Sequence, residues 1–197
     1  LLSVGKTEQA ISHYKTAIEL KPNHAKAYHN LGNALFAERN TEKAISHYKT
    51  AIELKPTFAI THNNLGNTLL SVGKTEQAIS HYKTAIKLRP SYAEAHHNLG
   101  NALFTQRKTE EAIAYYKTAV ELSPAFAMAH NSLGNVLFTE RKTEEAITHY
   151  KTAVELRPGY AEAHHNLGNA LSAEQKIEDA IYHYKMAIKL NPDSAKA

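Results

Sequence analysis

The sequence predicts an all-α solenoid, in which antiparallel pairs of helices stack one after another. The first observation is a fixed period, because the prolines follow one another at intervals of 34 residues: Pro22, Pro56, Pro90, Pro124, Pro158 and Pro192. The second is self-similarity, since residues 1–20 match residues 69–88 at every position except Glu19 against Lys87. The third is an apolar spacing of three and four residues, which is typical of helices. A period of this length indicates supersecondary units that bury their apolar faces against each other.

The repeats fall into one register along the whole chain. Five full copies occupy residues 25–58, 59–92, 93–126, 127–160 and 161–194, and positions within a copy are numbered as slots 1 to 34. A partial copy, 1–24, fills slots 11 to 34, and residues 195–197 begin another copy. We therefore expect a single array over 1–197, and we expect it to be an excerpt of a longer one because both termini fall inside a repeat.

Each copy predicts two helices, in slots 1–14 and 18–30, with a short polar turn between them such as 39–41. The apolar residues of each helix recur at spacings that place them on one face. In the first copy they are Tyr28, Leu31, Gly32, Leu35, Ala44, Ile45, Tyr48, Ala51, Ile52 and Leu54.

The second helix carries signals at both ends. A threonine is placed to cap it, with glutamate in its first turn, and these threonines are Thr7, Thr41, Thr75, Thr109 and Thr143. Ile177 takes this slot in the last copy, so we expect that helix to begin less firmly. Basic residues such as Lys55 and Arg89 complement the dipole at the C-terminal end, and the proline then ends the helix.

With these residues in place the chain resembles the tetratricopeptide repeat family. Leu31-Gly32, Ala44, Tyr48, Ala51 and Pro56 fall on the family pattern, and the other copies match in the same slots. The small residues allow close helix approach, as at Gly32, Gly66, Gly100, Gly134 and Gly168. The resemblance implies a right-handed superhelix whose first helices line a concave groove.

The chain departs from the family pattern at three slots. The tryptophan of slot 4 is replaced by Tyr28, His62, His96, His130 and His164. Leucine replaces the usual tyrosine of slot 11. Slot 15, often glycine in the family, holds Arg39, Arg107, Arg141 and Gln175. We expect these changes to soften the packing without changing the fold.

The candidate binding residues lie on the side of the first helix opposite its apolar stripe. Slot 9 is asparagine in every full copy, slot 6 in four of the five, slot 5 alternates histidine with asparagine, and slot 12 is apolar in the first four. We predict a peptide-binding groove formed by Asn30, Asn33, Asn63, Asn64, Asn67, Asn98, Asn101, Asn131, Asn135, Asn166, Asn169, His29, His97, His165, Phe36, Leu70, Phe104 and Phe138.

Asparagine is a poor helix former, so its presence on this side calls for a reason. A carboxamide both donates and accepts, and it can bind the N–H and C=O of an extended peptide without reading its side chains. The alternative is structural: the slot-9 asparagine bridges neighbouring helices, and the slot-12 side chain packs on the next repeat.

The resemblance to the family limits the classes of ligand that we expect. Lys26 is the only cation that matches the clamp for acidic chaperone tails, so we expect no such clamp. The asparagine series resembles the repeats of O-linked N-acetylglucosamine transferase and the long arrays of bacterial, particularly cyanobacterial, proteins. The sequence contains no transferase domain.

Composition and motifs limit the other classes of function. The formal net charge is +4 with evenly spread lysines, so nucleic-acid binding is disfavoured. Cysteine is absent, and the serines lack a Gly-rich elbow or phosphate loop, so we expect no enzyme and no cofactor. No apolar run is long enough for a membrane span or signal peptide, and a cytoplasmic location is favoured.

The 13 histidines raise the question of a metal site. No two lie three or four residues apart, and the copies at slot 23 are a full repeat apart, so we predict none. The slot-4 histidines lie on the packing face. We expect them to be buried and neutral, with stability falling below about pH 6.5.

The sequence therefore predicts a protein-interaction scaffold that binds an extended segment of an unidentified partner. Two alternatives remain open. Both ends of the array expose apolar surface, so chains could associate end to end as a structural solenoid. A helical solenoid could also bind single-stranded RNA, although the groove offers few cations.

Overall fold

The structure, a computed structural model, describes residues 2–192, with side chains from residue 6 onward. Within that range the chain forms helices and no strand, as predicted for an all-α fold. The helices are α1 (Leu2–Leu20), α2 (Ala25–Ala37), α3 (Thr41–Leu54), α4 (Ala59–Ser71), α5 (Thr75–Leu88), α6 (Ala93–Thr105), α7 (Thr109–Leu122), α8 (Ala127–Thr139), α9 (Thr143–Leu156), α10 (Ala161–Ala173) and α11 (Ile177–Leu190).

The chain divides into two compact units, Leu1–Ala102 and Leu103–Ala197, and the division falls within α6. In the first unit each helix from α1 to α4 packs on the next one along the chain. In the second unit the same holds from α7 to α10. The predicted solenoid of helix pairs is confirmed in this stacking. None of the described helices combines the length and the apolar composition that a membrane span requires.

The partial copy at the N-terminus folds differently from the prediction. Residues 1–20 were expected to contain the end of a first helix, a turn and a second helix, but α1 is one helix from Leu2 to Leu20. The equivalent residues 69–88 do form a turn, in which Gly73 has φ 75°. In that copy α4 packs back on α5. Gly5 instead lies inside α1, although glycine costs about 1 kcal/mol in a helix.

The turn between the two helices is closed by backbone hydrogen bonds. The slot-15 residue has positive φ, namely 60° at Arg39, Arg107 and Arg141, 57° at Gln175 and 75° at Gly73. The N–H of slot 16 then donates to the carbonyl of slot 11, as Asn40 does to Leu35 at 2.9 Å. This is the Schellman arrangement, in which a left-handed residue ends a helix and satisfies its last carbonyls.

The same geometry corrects the capping prediction. Thr41, Thr75, Thr109 and Thr143 are the first residues of their helices, and the N-cap positions before them make no side-chain capping bond. The hydroxyl of Thr41 donates instead to the carbonyl of Arg39 at 3.3 Å. Ile177 begins α11 in the same register, and α11 has the same 14 residues as α9. Thr7 lies inside α1.

The predicted close approach at glycine is confirmed in four repeats. A Cβ built on Gly32, Gly66, Gly134 or Gly168 would lie 2.6–2.7 Å from the Cε1 atom of the slot-24 tyrosine, which is Tyr48, Tyr82, Tyr150 or Tyr184. Ala44 and Ala51, at slots 20 and 27 of the first full copy, are fully buried. Small residues at these slots therefore allow the aromatic ring to fill the space between the two helices.

The strain at slot 15 predicts a stabilising substitution. Arg141→Gly should raise the free energy of unfolding by about 0.5–1 kcal/mol, because a non-glycine residue at φ near 60° costs about 1–2 kcal/mol and the greater freedom of glycine in the unfolded chain offsets part of the gain. Urea unfolding followed by circular dichroism measures it. Arg141→Lys is the matched control and should change nothing, and Gly73→Arg should have the opposite sign. A fall in stability for Arg141→Gly would contradict this reading of the turn.

The contact between the slot-8 glycine and the slot-24 tyrosine predicts a destabilising substitution. Gly134→Ala should lower the free energy of unfolding by about 1–3 kcal/mol, because the added methyl overlaps the Tyr150 ring, although alanine is the better helix former. Gly159→Ala is the control, since its Cβ would meet nothing within 4 Å. Thermal unfolding of the two variants decides the point, and equal melting temperatures would show that the ring can move aside at no cost.

Candidate functional site

The slot-9 asparagine lies beside the slot-24 tyrosine of the same repeat. The tyrosine hydroxyl donates to the asparagine Oδ1 from Tyr48 to Asn33 and Tyr82 to Asn67 at 2.7 Å, and from Tyr150 to Asn135 and Tyr184 to Asn169 at 2.9 Å. Burial raises the pKa of Tyr48 to about 12, so the hydroxyl stays protonated. Sequence reasoning missed this pairing, although antiparallel packing of the two helices brings the slots together. The tyrosine therefore fixes the orientation of the amide.

The slot-6 asparagine connects one repeat to the repeat before it. In the first unit Asn64 Nδ2 donates to Asn33 Oδ1 at 2.9 Å, and in the second unit Asn166 Nδ2 donates to Asn135 Oδ1 at 2.9 Å. A carboxamide oxygen has two lone pairs. Both acceptor positions of Asn33 and Asn135 are thus filled from within the chain. The structural role that the sequence left open is present at these residues.

The side-chain amide nitrogens of the slot-9 asparagines have fewer partners than the oxygens. Those of Asn67, Asn135 and Asn169 have no hydrogen-bond partner among the described residues, and none of them is a buried unsatisfied atom. Asn33 Nδ2 contacts His29 Nε2 at 3.1 Å. We call the surface formed by slots 6 and 9 within each unit the asparagine face; in the first unit it comprises Asn30, Asn33, Asn64, Asn67, Asn98 and Asn101, and in the second Ser132, Asn135, Asn166 and Asn169. This surface presents N–H donors to solvent.

Slot 5 was expected to line the groove, and the structure corrects its exposure. His29, Asn63, His97 and Asn131 are buried, and Asn131 is only 1% exposed. Within one unit these side chains contact the next repeat: His29 Nδ1 lies 3.0 Å from Thr61 Oγ1, and Asn131 Nδ2 donates to Glu162 Oε1 at 3.0 Å. His29 and Asn131 lie one position outside the exposed arc of the helix, where the following repeat covers them. His165 alone among the slot-5 residues is exposed.

The apolar residues of slot 12 lie at the surface. Phe36 is 37% exposed, and Leu70, Phe104 and Phe138 are half-buried. Each follows slot 9 by three residues and therefore lies near it on the helix. Phe36 and Leu70 add apolar surface beside the amides of the first unit, and Phe138 does so in the second.

The slot-4 histidines are buried, as predicted, and three of them pair with a second histidine. The two Nδ1 atoms lie 3.1 Å apart in His62–His81 and His130–His149 and 2.9 Å apart in His164–His183. The other nitrogen of His62 lies 3.1 Å from the carbonyl of Pro56 in the preceding repeat. A carbonyl only accepts, so that nitrogen carries the proton, and His81 must donate the proton between the two Nδ1 atoms.

These pairs join slot 4 to slot 23, which are 19 residues apart on antiparallel helices, and sequence spacing alone did not indicate them. The ring centroids are 5.2–5.4 Å apart, so the two nitrogens face each other across one shared proton. Burial lowers the pKa of both His62 and His81. Among the described residues no group of three or more histidine, aspartate or glutamate side chains could hold a metal ion.

The sequence matches two family models along most of its length. One, described as TPR repeat, matches residues 1–38, 32–73, 66–107 and 141–173, and the other, described as tetratricopeptide repeat, matches residues 93–126 and 161–194. The chain belongs to the tetratricopeptide repeat family. No curated protein matches the sequence significantly. The likeness to the transferase repeats stays a prediction.

Solved structures of tetratricopeptide repeat proteins share this fold. YrrB, titled a TPR protein with an unusual peptide-binding site, is 26% identical, with a TM-score of 0.69 over 91% of this chain and 93% of that one. MamA is 26% identical, with a TM-score of 0.71 over 85% and 98%. PilF of Pseudomonas aeruginosa is 22% identical, with a TM-score of 0.86 over 97% and 87%, and shows the fold alone.

The buried histidines predict a loss of stability in acid. Burial lowers the pKa of His97 to about 4, against an ordinary value of 6.5. The unfolded chain therefore binds more protons between these values. Stability is complete above about pH 6.5 and falls toward pH 4, by up to about 1.4 kcal/mol per pH unit for this group.

His97→Asn should make that fall shallower, since asparagine occupies the same slot at Asn63 and Asn131. The free energy of unfolding, measured in urea from pH 7.5 to 4.5, tests it. The same change at the exposed His165 controls for loss of an imidazole from slot 5. Identical profiles of unfolding free energy against pH for the wild type and His97→Asn would show that His97 does not cause the loss of stability in acid.

Proposed function

We propose that the protein is an interaction scaffold that binds an extended polypeptide segment along its asparagine faces. The free amide nitrogens of Asn67, Asn135 and Asn169 carry this proposal, because each amide oxygen accepts from a slot-24 tyrosine and its nitrogen has no partner among the described residues. A polypeptide supplies a carbonyl acceptor at every residue. Binding of this kind holds the backbone and leaves the side chains free.

The donor pattern narrows the ligand further than the sequence did. At Asn135 both acceptor positions are filled, by Tyr150 and Asn166, so a ligand must meet this amide with acceptors. The oxygens of Asn67 and Asn169 accept from one tyrosine each, and their N–H groups likewise require acceptors from the ligand. An extended segment meets this requirement when a line of its carbonyls faces the helices. The half-buried Leu70 in the first unit and Phe138 in the second then offer apolar contact to the side chains between them.

The charges beside the asparagine faces favour a polypeptide over RNA. A single-strand binder needs a stripe of cations that follows the phosphates, with aromatic rings for the bases. Slot 2, at the start of each first helix, holds instead Lys26, Ile60, Glu94, Met128 and Glu162. Two of these five are acidic and would repel a phosphate backbone. The family is built from protein-interaction repeats, and YrrB is by its title a peptide-binding member.

The decisive substitution replaces the donor and keeps the acceptor. Asn67→Asp with Asn135→Asp retains an oxygen for the hydroxyls of Tyr82 and Tyr150 but removes both free NH2 groups. We expect peptides selected from a random 12-residue phage library on the wild-type protein to bind this variant at least tenfold more weakly. Isothermal titration calorimetry measures the change.

Two controls separate binding from charge and from stability. Ser71→Asp with Thr139→Asp adds the same charges one turn along α4 and α8 without removing an amide, and should bind normally. Tyr82→Phe removes the hydroxyl that donates to Asn67. It should lower the melting temperature, and it should weaken peptide binding less than the double aspartate variant does. Equal peptide affinity of the wild type and the double aspartate variant would refute the donor mechanism. The compartment and end-to-end self-association stay predictions.

A further inference from the structure

The histidine pairs and the free amides of slot 9 occur in the same copies of the repeat. The second, fourth and fifth full copies hold histidine at both slot 4 and slot 23, and their Nδ1 atoms lie 2.9–3.1 Å apart. These copies also contain Asn67, Asn135 and Asn169, whose amide nitrogens have no partner among the described residues. The first and third full copies cannot form such a pair, because Tyr28 takes slot 4 in one and Tyr115 takes slot 23 in the other.

The pair and the amide are connected through the slot-24 tyrosine. In the second full copy His81 directly precedes Tyr82, whose hydroxyl donates to Asn67 at 2.7 Å. The other ring of the pair, His62, lies on α4, as Asn67 does. A change in the distance between the two rings therefore displaces α5 against α4. It displaces the hydroxyl donor against the amide that it orients.

A neutral pair can take up one proton without losing its hydrogen bond. His62 Nε2 donates to the Pro56 carbonyl and His81 Nδ1 donates to His62 Nδ1, which leaves His81 Nε2 to accept the first proton. A second proton must go to His62 Nδ1. Two N–H donors with two positive charges then face each other at 3.1 Å, so the rings must separate. The other two pairs have the same arrangement.

The groups around each pair oppose the uptake of protons. Burial lowers the pKa of His81, and the facing His62 and then Lys49 of α3 lower it further. Below about pH 6.5, the ordinary value for histidine, separated rings bind more protons than the closed pair, so acid favours separation. The closed pair is favoured above that pH. The slot-23 histidines of the second unit likewise face a lysine of the preceding second helix, His149 facing Lys117 of α7 and His183 facing Lys151 of α9.

An acidic neighbour distinguishes two of the pairs from the third. Glu145 raises the pKa of His149 against the effect of burial, and Asp179 does the same for His183. In α5 the equivalent slot holds the neutral Gln77. As the pH falls, the two pairs of the second unit should therefore take up protons before the pair of the first unit.

We propose that each histidine pair is a pH-dependent control of the free amide in its own copy. At neutral pH the closed pair keeps the tyrosine in place and the amide available to a ligand. In acid the rings separate, the tyrosine moves and the amide loses its orientation. The consequence for binding rests on the proposed function: a polypeptide held by these amides is released in acid.

The first full copy supplies the matched control variant. There Tyr28 takes slot 4, and its ring centroid lies 5.9 Å from that of His47 at an interplanar angle of 34°. A tyrosine hydroxyl can donate or accept, so it keeps a partner when the histidine becomes charged. His62→Tyr with His130→Tyr and His164→Tyr gives this combination to all three copies. If that variant lacks native helix content by circular dichroism, His81→Tyr with His149→Tyr and His183→Tyr replaces it, as in the third full copy.

The first measurement needs no ligand. Heteronuclear NMR of the full chain follows the side-chain amides of Asn67, Asn135 and Asn169 from pH 7.5 to 5.0. In the wild type their signals should shift as the pairs titrate, those of Asn135 and Asn169 at higher pH than those of Asn67, and in the tyrosine variant they should not. Amide signals that stay constant while His81 and His149 titrate would overturn the proposal.

The second measurement is the affinity for a library-selected peptide that contains no histidine and no acidic residue. By isothermal titration calorimetry the wild type should bind it at least tenfold more weakly at pH 5.0 than at pH 7.5, and the tyrosine variant less than twofold more weakly. Effects of other histidines, such as His97, are common to both proteins. Equal weakening in both would overturn the control by the pairs and leave the binding function intact. Failure of every peptide to bind at pH 7.5 would refute the binding function, and the NMR titration would then decide the control alone.

Discussion

The contact between the slot-24 tyrosine ring and the slot-8 glycine sets the geometry of each helix pair. A side chain at Gly32, Gly66, Gly134 or Gly168 would overlap that ring, so the close approach of the two helices depends on glycine. Slot 9 is the next residue on the first helix, and the tyrosine hydroxyl reaches it at 2.7–2.9 Å. The core contact and the orientation of the surface amide are therefore one constraint. A change that moves the ring also moves the donor that the asparagine face presents.

Polar contacts between repeats follow the same logic. Each first helix completes groups on the repeat before it: Asn64 fills the second acceptor site of Asn33, and the ring of His62 meets the Pro56 carbonyl. Such nearest-neighbour coupling is the physical character of repeat proteins.

The fold was predictable because its signals repeat. Proline at the end of each second helix and glycine at slot 8 recur with the period, and each has a single steric meaning. The predictions that were wrong concerned contacts that depend on a neighbouring helix. Residues 1–18 and 69–86 are identical, yet Gly5 lies in a helix and Gly73 in a turn, so local sequence did not decide between them.

The candidate site was predicted in its residues more than in its chemistry. The asparagines of slots 6 and 9 lie at the surface, but the oxygens of Asn67, Asn135 and Asn169 already accept from a tyrosine, and that of Asn135 accepts from Asn166 as well. Slot 5 differs from slot 6 by one position, and that rotation of about 100° buries it under the next repeat. The histidine pairs could not be predicted from spacings within one helix, because they depend on the register between two antiparallel helices.

The slot-9 amides hold the backbone of a ligand, and other slots must determine which side chains are preferred. Slot 9 is the same residue in every full copy, whereas slot 2 varies among lysine, isoleucine, glutamate and methionine. A donor that meets backbone carbonyls gains nothing from variation, because every residue of a ligand carries the same carbonyl. Side-chain preference must then come from the slots that do vary, 2 and 12, which lie on the same side of the first helix. Changing those slots should alter which segment binds and leave its carbonyl contacts in place, since each amide is oriented by the slot-24 tyrosine of its own repeat.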